Sequence, residues 1–253
     1  MKTVQIRNIE IGSGIPKICV PIVGRTQKEI LQSAQQICQT NADLAEWRVD
    51  WYENVFDAQK VTDILAQIRN ILQNIPLLFT FRTAKEGGEK DISLEQYLQL
   101  NYLALDSGCA DLIDLELFTG DSFVKELIES AHSRGVKVIV SNHDFEKTPC
   151  KEELVSRLQK MQELGADIPK IAVMPQNKKD VLTLLLATEE MASEYADRPI
   201  ITMSMARNGV ISRLCGEVFG SALTFGAVGK VSAPGQINVD DLHDILEKLH
   251  RTL

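Results

Sequence analysis

A closed barrel of eight parallel strands wrapped by helices is the fold the sequence predicts, and three observations predict it. Short apolar, β-branched runs alternate along the whole chain with stretches of helical periodicity. Eight such strand–helix units fit within the 253 residues, which is the size of a (β/α)8, or TIM, barrel. Charged residues also gather at the C-terminal ends of several strands, where such barrels keep their chemistry. The runner-up is an open, doubly wound sheet. That fold announces itself with a glycine-rich first turn after strand one, whereas Gly12-Ser13-Gly14 precedes the first strand. No linker, low-complexity segment or charge block divides the chain, so residues 1–253 read as a single barrel domain.

Residues 4–11 read as a short N-terminal β-hairpin covering one end of the barrel. Ile18-Cys19-Val20-Pro21-Ile22-Val23 is strand one, with Pro21 awkward there because it cannot donate to a ladder. A helix follows, with Ile30, Leu31, Ala34 and Ile37 at helical spacing. Further strands are expected over 44–50, 77–82, 112–117, 136–141, 166–174, 199–203 and 224–228. Between them lie amphipathic stretches such as Val61, Ile64, Leu65, Ile68 and Leu72. A shorter helix is expected near 211–219, and a final one carries Leu242, Ile245, Leu246 and Leu249.

Composition narrows the function. The chain is 44% hydrophobic and 25% charged, with a net charge of −8, so it lacks the basic excess of a nucleic-acid surface. No apolar stretch approaches the ~20 residues of a membrane span. The N-terminus has no signal-peptide core. Five cysteines without paired spacing read as reduced thiols in a cytoplasm.

The chain is organised around the run Ile168-Pro169-Lys170-Ile171-Ala172-Val173, an apolar strand with one lysine inside it. Such a lysine must bury an ammonium, find a partner or shed its proton. Two readings stay open: an amine placed for Schiff-base chemistry, or a strand-end lysine that snorkels to water. Strand alternation puts Glu46, Arg48 and Asp50 on one face of strand two, and Thr80 and Arg82 on one face of strand three. It does the same for Asp114 and Glu116 on strand four. Among the four histidines only His143 closes a strand, where an imidazole suits proton transfer near neutral pH. His132 falls late in a helix, and His243 and His250 lie on the last helix, facing solvent. Without a second strand-end histidine, no metal is expected. The loop Thr83 to Glu89 is mobile or tightly turned by Gly87 and Gly88, and Glu86 within it is placed either to orient a histidine or to face solvent. Arg213 and the segment Lys230 to Gln236 come from the last third; that segment reads as a lid over the barrel mouth or as an ordinary loop.

Taken together, Glu46-Trp47-Arg48-Val49-Asp50, Phe79-Thr80-Phe81-Arg82, Lys85-Glu86-Gly87-Gly88, Ile113-Asp114-Leu115-Glu116, Ser141-Asn142-His143-Asp144-Phe145, Pro169-Lys170-Ile171-Ala172, Met203-Ser204-Met205 and Ser232-Ala233-Pro234-Gly235-Gln236 resemble the type I 3-dehydroquinate dehydratase family. The resemblance covers nearly the whole chain. It implies a (β/α)8 barrel, commonly a homodimer, that uses no metal or cofactor and dehydrates 3-dehydroquinate to 3-dehydroshikimate. It also implies roles. Lys170 resembles the Schiff-base lysine, His143 the general acid/base and Glu86 the carboxylate that orients it. Glu46, Arg48 and Arg82 resemble the groups holding the ring hydroxyls, and Arg213 the substrate carboxylate clamp. Ser232 and Gln236 resemble lid contacts, and Met203, Met205 and Phe225 apolar walls. One departure is Pro21, where related enzymes often place a serine that touches substrate; position 21 therefore stays outside the binding set. Other classes remain in view: a Schiff-base aldolase, which should show phosphate-binding turns near strands seven and eight; a hydrolase using Glu46, His143 and Asp144 on a metal; and a non-catalytic barrel that binds a ring acid.

Overall fold

The structure is a computed structural model that describes residues 2–229, 233 and 235–253. Its first element is an antiparallel hairpin of β1 (Val4–Ile6) and β2 (Ile9–Ile11). Eight parallel strands follow: β3 (Lys17–Ile22), β4 (Leu44–Arg48), β5 (Leu77–Thr80), β6 (Leu112–Glu116), β7 (Lys137–Asp144), β8 (Ile168–Val173), β9 (Ile201–Ser204) and β10 (Leu223–Ala227). A two-residue strand β11 (Ile237–Asn238) pairs with β10 and was not expected from the sequence. The helices are α1 (Gln27–Ile37), α2 (Ala58–Leu72), α3 (Leu94–Asp106), α4 (Asp121–Ser133), α5 (Lys151–Leu164), α6 (Lys178–Glu190), α7 (Gly216–Phe219) and α8 (Val239–His250).

Local chemistry starts the helices where the periodicity places them. Thr26 and Glu29 form a capping box on α1: the Thr26 hydroxyl accepts the Glu29 N–H at 3.3 Å, and the Glu29 carboxylate accepts the Thr26 N–H at 3.2 Å. Ser93 with Gln96, and Asn177 with Asp180, do the same for α3 and α6.

The barrel closes between β9 and β10. Ile200 bridges Ser221 in parallel, and Ala222 N–H donates to the Ile200 carbonyl at 2.9 Å. Above that rung the Ser221 hydroxyl accepts the Thr202 N–H at 3.0 Å, so a side chain laces a seam that the main chain leaves short. Pro21 fits because the β10–β3 ladder ends at Cys19, before the missing N–H is needed.

Alternation sorts each strand into two faces. Outward residues such as Trp47, Phe79, Phe81, Leu115, Val140 and Ile171 meet the apolar faces of the helices in one core. Trp47 packs edge-on against Phe79, with ring centroids 5.7 Å apart. One inward layer toward the strand starts is apolar on every strand: Cys19, Leu44, Leu78, Leu112, Ile139, Ile168, Ile201 and Leu223 are all buried. Val4, Ile6, Ile9 and Ile11 seal this end from below. The hairpin is fastened to residues that precede strands: Lys2 N–H donates to the Asp197 carbonyl at 2.7 Å, and Arg7 pairs with Asp111 at 2.5 Å. It therefore covers the N-terminal mouth, which leaves the opposite mouth for charged groups.

The segment expected as a helix near 211–219 is instead a 3-10 helix, Arg207–Arg213, followed by the single turn α7. Ser212 is the reason. Its hydroxyl accepts the Ser204 N–H at 2.9 Å and donates to the Gly209 carbonyl at 2.7 Å, binding the segment back onto the end of β9. Residues 49–51 likewise leave the strand for a 3-10 turn, because the Asp50 carboxylate accepts the Arg82 N–H at 3.3 Å from the next strand's end.

If the hairpin serves stability alone, Ile11→Ala should lower the unfolding free energy by ~2–5 kcal/mol and leave kcat per folded molecule unchanged. Urea unfolding with parallel kinetics tests this, and a matching fall in kcat would tie the hairpin to the site.

Candidate active site

The next inward layers change character. Above the apolar floor stand Glu46 and Arg48 of β4, Thr80 of β5 with Arg82 beyond it, Asp114 and Glu116 of β6, Ser141 and His143 of β7, and Lys170 of β8. Glu46, Arg48, Arg82, Glu86, His143, Lys170, Arg213 and Gln236 line one cavity at the C-terminal mouth. Its walls include Met203, Met205 and Phe225. Ser232, the remaining expected site residue, lies outside the described residues.

Lys170 does not snorkel. It is 3% exposed, with Nζ 3.4 Å from Asp114 Oδ2 and 4.5 Å from the centroid of the Phe225 ring. Asp114 Oδ1 accepts from Ser141 Oγ at 2.6 Å and from Arg82 Nη2 at 2.6 Å. Burial by itself would raise the Asp114 carboxyl, but Arg82 and Lys170 outweigh it and hold the group below its ordinary range. Arg82 Nη1 also reaches Glu116 Oε1 at 3.0 Å and Glu86 Oε2 at 3.6 Å. One guanidinium thus binds three carboxylates, from β6 and from the loop after β5.

That loop is tightly turned. Ala84–Glu86 is a 3-10 turn, and Gly88 N–H donates to the Thr83 carbonyl at 2.8 Å. A Cβ at Gly88 would stand 1.9 Å from the Arg82 carbonyl oxygen, and one at Gly87 2.2 Å from the Phe145 ring. Glutamate 86 is therefore delivered inward, not to solvent. Its Oε2 accepts the His143 backbone N–H at 2.8 Å and faces His143 Nδ1 at 3.0 Å. When the Glu86 carboxylate is ionised it only accepts, so the histidine proton then sits on Nδ1 and Nε2 is left as a base. Burial drives the His143 imidazole well below its ordinary value, helped by the charges of Arg82, Lys170 and Arg48. It is neutral at pH 7. Burial also pushes the Glu86 carboxyl up to about 7, against the pull of Arg82.

Arg48 holds Asp50 in a two-pronged pair at 2.8 Å on each prong, and Glu46 Oε1 accepts from Thr80 Oγ1 at 2.9 Å. Arg213 comes from the 3-10 helix after β9. Burial pulls its guanidinium down to about 10, so it stays a cation at pH 7. The other histidines play no part in the cavity: His132 pairs with Asp167 at 2.8 Å and His250 with Glu217 at 2.7 Å. His243 is half-buried rather than facing solvent. Among the described residues no three His, Cys, Asp or Glu side chains converge on a metal site, and Asp144 caps its own turn by accepting the Glu146 N–H at 3.0 Å.

The sequence offers Asp114 as a strand-face charge within a run shared with the family, but assigns it no role in the site. Its signal was the alternation that makes it inward on β6. The residues it neutralises, Arg82 and Lys170, are 32 and 56 positions away, and no spacing rule joins them.

The fold and the cavity define a class: a (β/α)8 barrel with a buried lysine amine, a neutral histidine and an arginine converging on its C-terminal mouth. The type I 3-dehydroquinase profile matches residues 18–252. The chain is 58% identical over 252 residues to a 3-dehydroquinate dehydratase of Clostridioides difficile, covering 100% of this chain and 99% of that protein. It is 59% identical over 251 residues to one from Salmonella typhimurium, covering 99% and 100%. A crystal structure of the type I 3-dehydroquinate dehydratase from Clostridium difficile with covalently modified comenic acid superposes with a TM-score of 0.97 at 58% identity, over 100% of this chain and 99% of that one. The enzyme from Geobacillus kaustophilus gives 0.96 at 39% identity, over 99% and 97%. The chain belongs to the type I 3-dehydroquinase family.

A pH test follows from Glu86. Its pKa is raised by folding, from an ordinary 4.5 to about 7. Its contribution to stability is therefore complete below pH 4.5 and is lost as pH rises through 7. Urea unfolding across this range should show the wild type losing stability relative to Glu86→Gln as pH rises. Curves that stay parallel would mean the carboxyl titrates normally.

Proposed function

We propose that the cavity dehydrates 3-dehydroquinate to 3-dehydroshikimate through a Schiff base on Lys170, the reaction of the shikimate pathway that makes this chain a hydro-lyase. The observation that carries the reading is one cavity holding the Lys170 side chain, the His143 imidazole with Glu86 at its Nδ1, and Arg213. The relative with covalently modified comenic acid supports a covalent step in this family.

The steps follow from the groups. Lys170 passes a proton to His143 Nε2, the freed amine adds to the C3 ketone, and the resulting hydroxyl takes that proton and leaves as water, giving a protonated imine. That cation withdraws electrons from C2 more strongly than a ketone does. His143 Nε2 takes the C2 proton, and the electron pair moves into an enamine. The enamine then expels hydroxide from C1, which takes the proton from His143 and departs as water. Hydrolysis of the imine returns Lys170. Glu86 holds the Nδ1 proton and stabilises the imidazolium formed between these steps. Asp114 and the Phe225 ring face the positive charge on the lysine nitrogen.

Substrate groups have matching partners. Arg213 offers a planar fork to the ring carboxylate, whereas Glu46, Arg48 and Arg82 offer a polar wall to the hydroxyls. Ser232 and Gln236 are the proposed contacts from the β10–α8 connection, and Met203 and Met205 the apolar wall. These side chains supply every proton and electron pair, so the proposal includes no cofactor. Residues 1–253 act as one catalytic domain. Five free cysteines support a cytoplasmic setting. A homodimer is supported by Leu182 and Leu186, exposed one turn apart on α6, with Ile211 and Val218 exposed on the segments packed beside it; sedimentation velocity reads this directly, and a monomer at micromolar concentration would remove it.

Lys170→Ala should fold and show no turnover, and borohydride with substrate should add the mass of a reduced adduct to the wild type alone. An adduct on the alanine variant would place the imine elsewhere. Arg213→Ala should raise KM by about 10- to 100-fold, the worth of a charge-assisted contact of ~1.5–3 kcal/mol. Arg213→Lys should raise it less, because the charge survives without the fork. Small and equal effects would take Arg213 out of the site.

A further inference from the structure

We propose that Asn142 and Arg157 are positioning residues for this reaction, locking Glu86 in the orientation that fixes the proton on His143. The inference rests on the reading of Glu86 and His143 as the proton-handling pair.

The two oxygens of Glu86 have separate partners. Oε2 serves the His143 backbone and ring. Oε1 accepts from Asn142 Nδ2 at 3.1 Å. Without Asn142 the carboxylate keeps its histidine contacts but loses the anchor that stops it turning about its last bond.

Asn142 in turn has a side-chain amide that can face either way by itself. Its neighbours decide. Arg157 Nη1 stands 2.7 Å from Asn142 Oδ1, and a guanidinium has only donors. Glu86 on the other side has only acceptors when ionised. A flipped amide would set oxygen against carboxylate and NH2 against guanidinium, two repulsive contacts in a low-dielectric setting. The arginine therefore determines which end of Asn142 reaches Glu86.

The path runs from the helical layer inward. Asn142 lies between the inward residues Ser141 and His143 and so points toward the helices, where α5 carries Arg157. Arg157 is itself held, paired with Glu153 one turn earlier and stacked over the Phe118 ring at 5.5 Å. Its side chain is 16% exposed. The groups facing Glu86 from the cavity side are Arg82, Glu116 and His143, and Lys85 and Asp91 share a cleft with it on the other side. Among these contacts the hydrogen bond donated by Asn142 favours the charged carboxylate, so its loss moves protonation of Glu86 to higher pH.

Steady-state kinetics on the full chain, followed by product absorbance across pH, test the relay. Asn142→Ala removes the link, Arg157→Met keeps the stem without the donor, and Arg157→Lys keeps a donor. Asn142→Ala and Arg157→Met should each lower kcat about 10-fold, as supporting-contact losses do, with KM within about twofold. The acid limb of kcat should move to higher pH in both, and Arg157→Lys should recover most of the rate. In a Glu86→Gln background the same changes should cost nothing further. Unchanged kcat and acid limb would overturn the proposal, as would an equal additional loss in the Glu86→Gln background. So would a lower urea midpoint with an unmoved acid limb, which marks a structural role only. If Glu86→Gln itself retains wild-type kcat, the proton-handling pair is misassigned, and that outcome is distinct from failure of the relay.

Discussion

The Arg82 guanidinium is the group on which the mouth of the barrel depends. It is buried and binds Asp114, Glu116 and Glu86, carboxylates from β6 and from its own following loop. A buried charge is tolerable only when paired, and removing one partner leaves the others uncompensated. Lys170 belongs to this cluster through Asp114, and His143 through Glu86. The loop after β5 joins it as well, because Glu116 accepts from both the N–H and the hydroxyl of Thr83 at 2.8 Å. Catalytic groups on β7, on β8 and on the loop after β5 are therefore held by one electrostatic unit, and the amine and the base stay in fixed relation.

The barrel divides its work between its two ends. The N-terminal end is a sealed apolar floor with a hairpin across it, where burial contributes stability and pushes the Cys19 thiol well above its ordinary value. The C-terminal end concentrates desolvated charge. Burial there keeps His143 neutral, as a base at pH 7 requires, and it also raises Glu86 at a cost to stability. The same desolvation produces both effects, so the reactive state of the histidine and the strain on its carboxylate partner are inseparable consequences of enclosing the site.

Precision at this mouth comes from steric exclusion as much as from charge. Gly87 packs beneath Phe145 and Gly88 against the Arg82 carbonyl, where no side chain fits. Glu86 is consequently carried on a turn with one conformation. From the outside, Arg157 and Asn142 reach the same carboxylate through the wall between β7 and α5. The catalytic pair is thus supported from the cavity by Arg82 and from the helical layer by Asn142.

The amino-acid sequence by itself determined the alternation of strands and helices, the inward set on each strand and the two-glycine loop. These are local properties: the period-2 and period-3.6 patterns and the conformational needs of glycine act over a few residues. Lys170, His143 and Arg82 were legible for that reason, as inward residues at strand ends. Tertiary structure alone decided which charges pair. Arg82 meets Glu116 across 34 positions and Asn142 meets Glu86 across 56, contacts set by the stagger and curvature of the closed barrel. Asp114 was underrated because its importance lies in those partners and not in its neighbours along the chain. The Ser221 seam, the 3-10 course of residues 207–213 under Ser212 and the fit of Pro21 beyond the last β10 rung follow the same logic. Each depends on where a second strand happens to end, a distance between segments that no periodicity within either segment encodes.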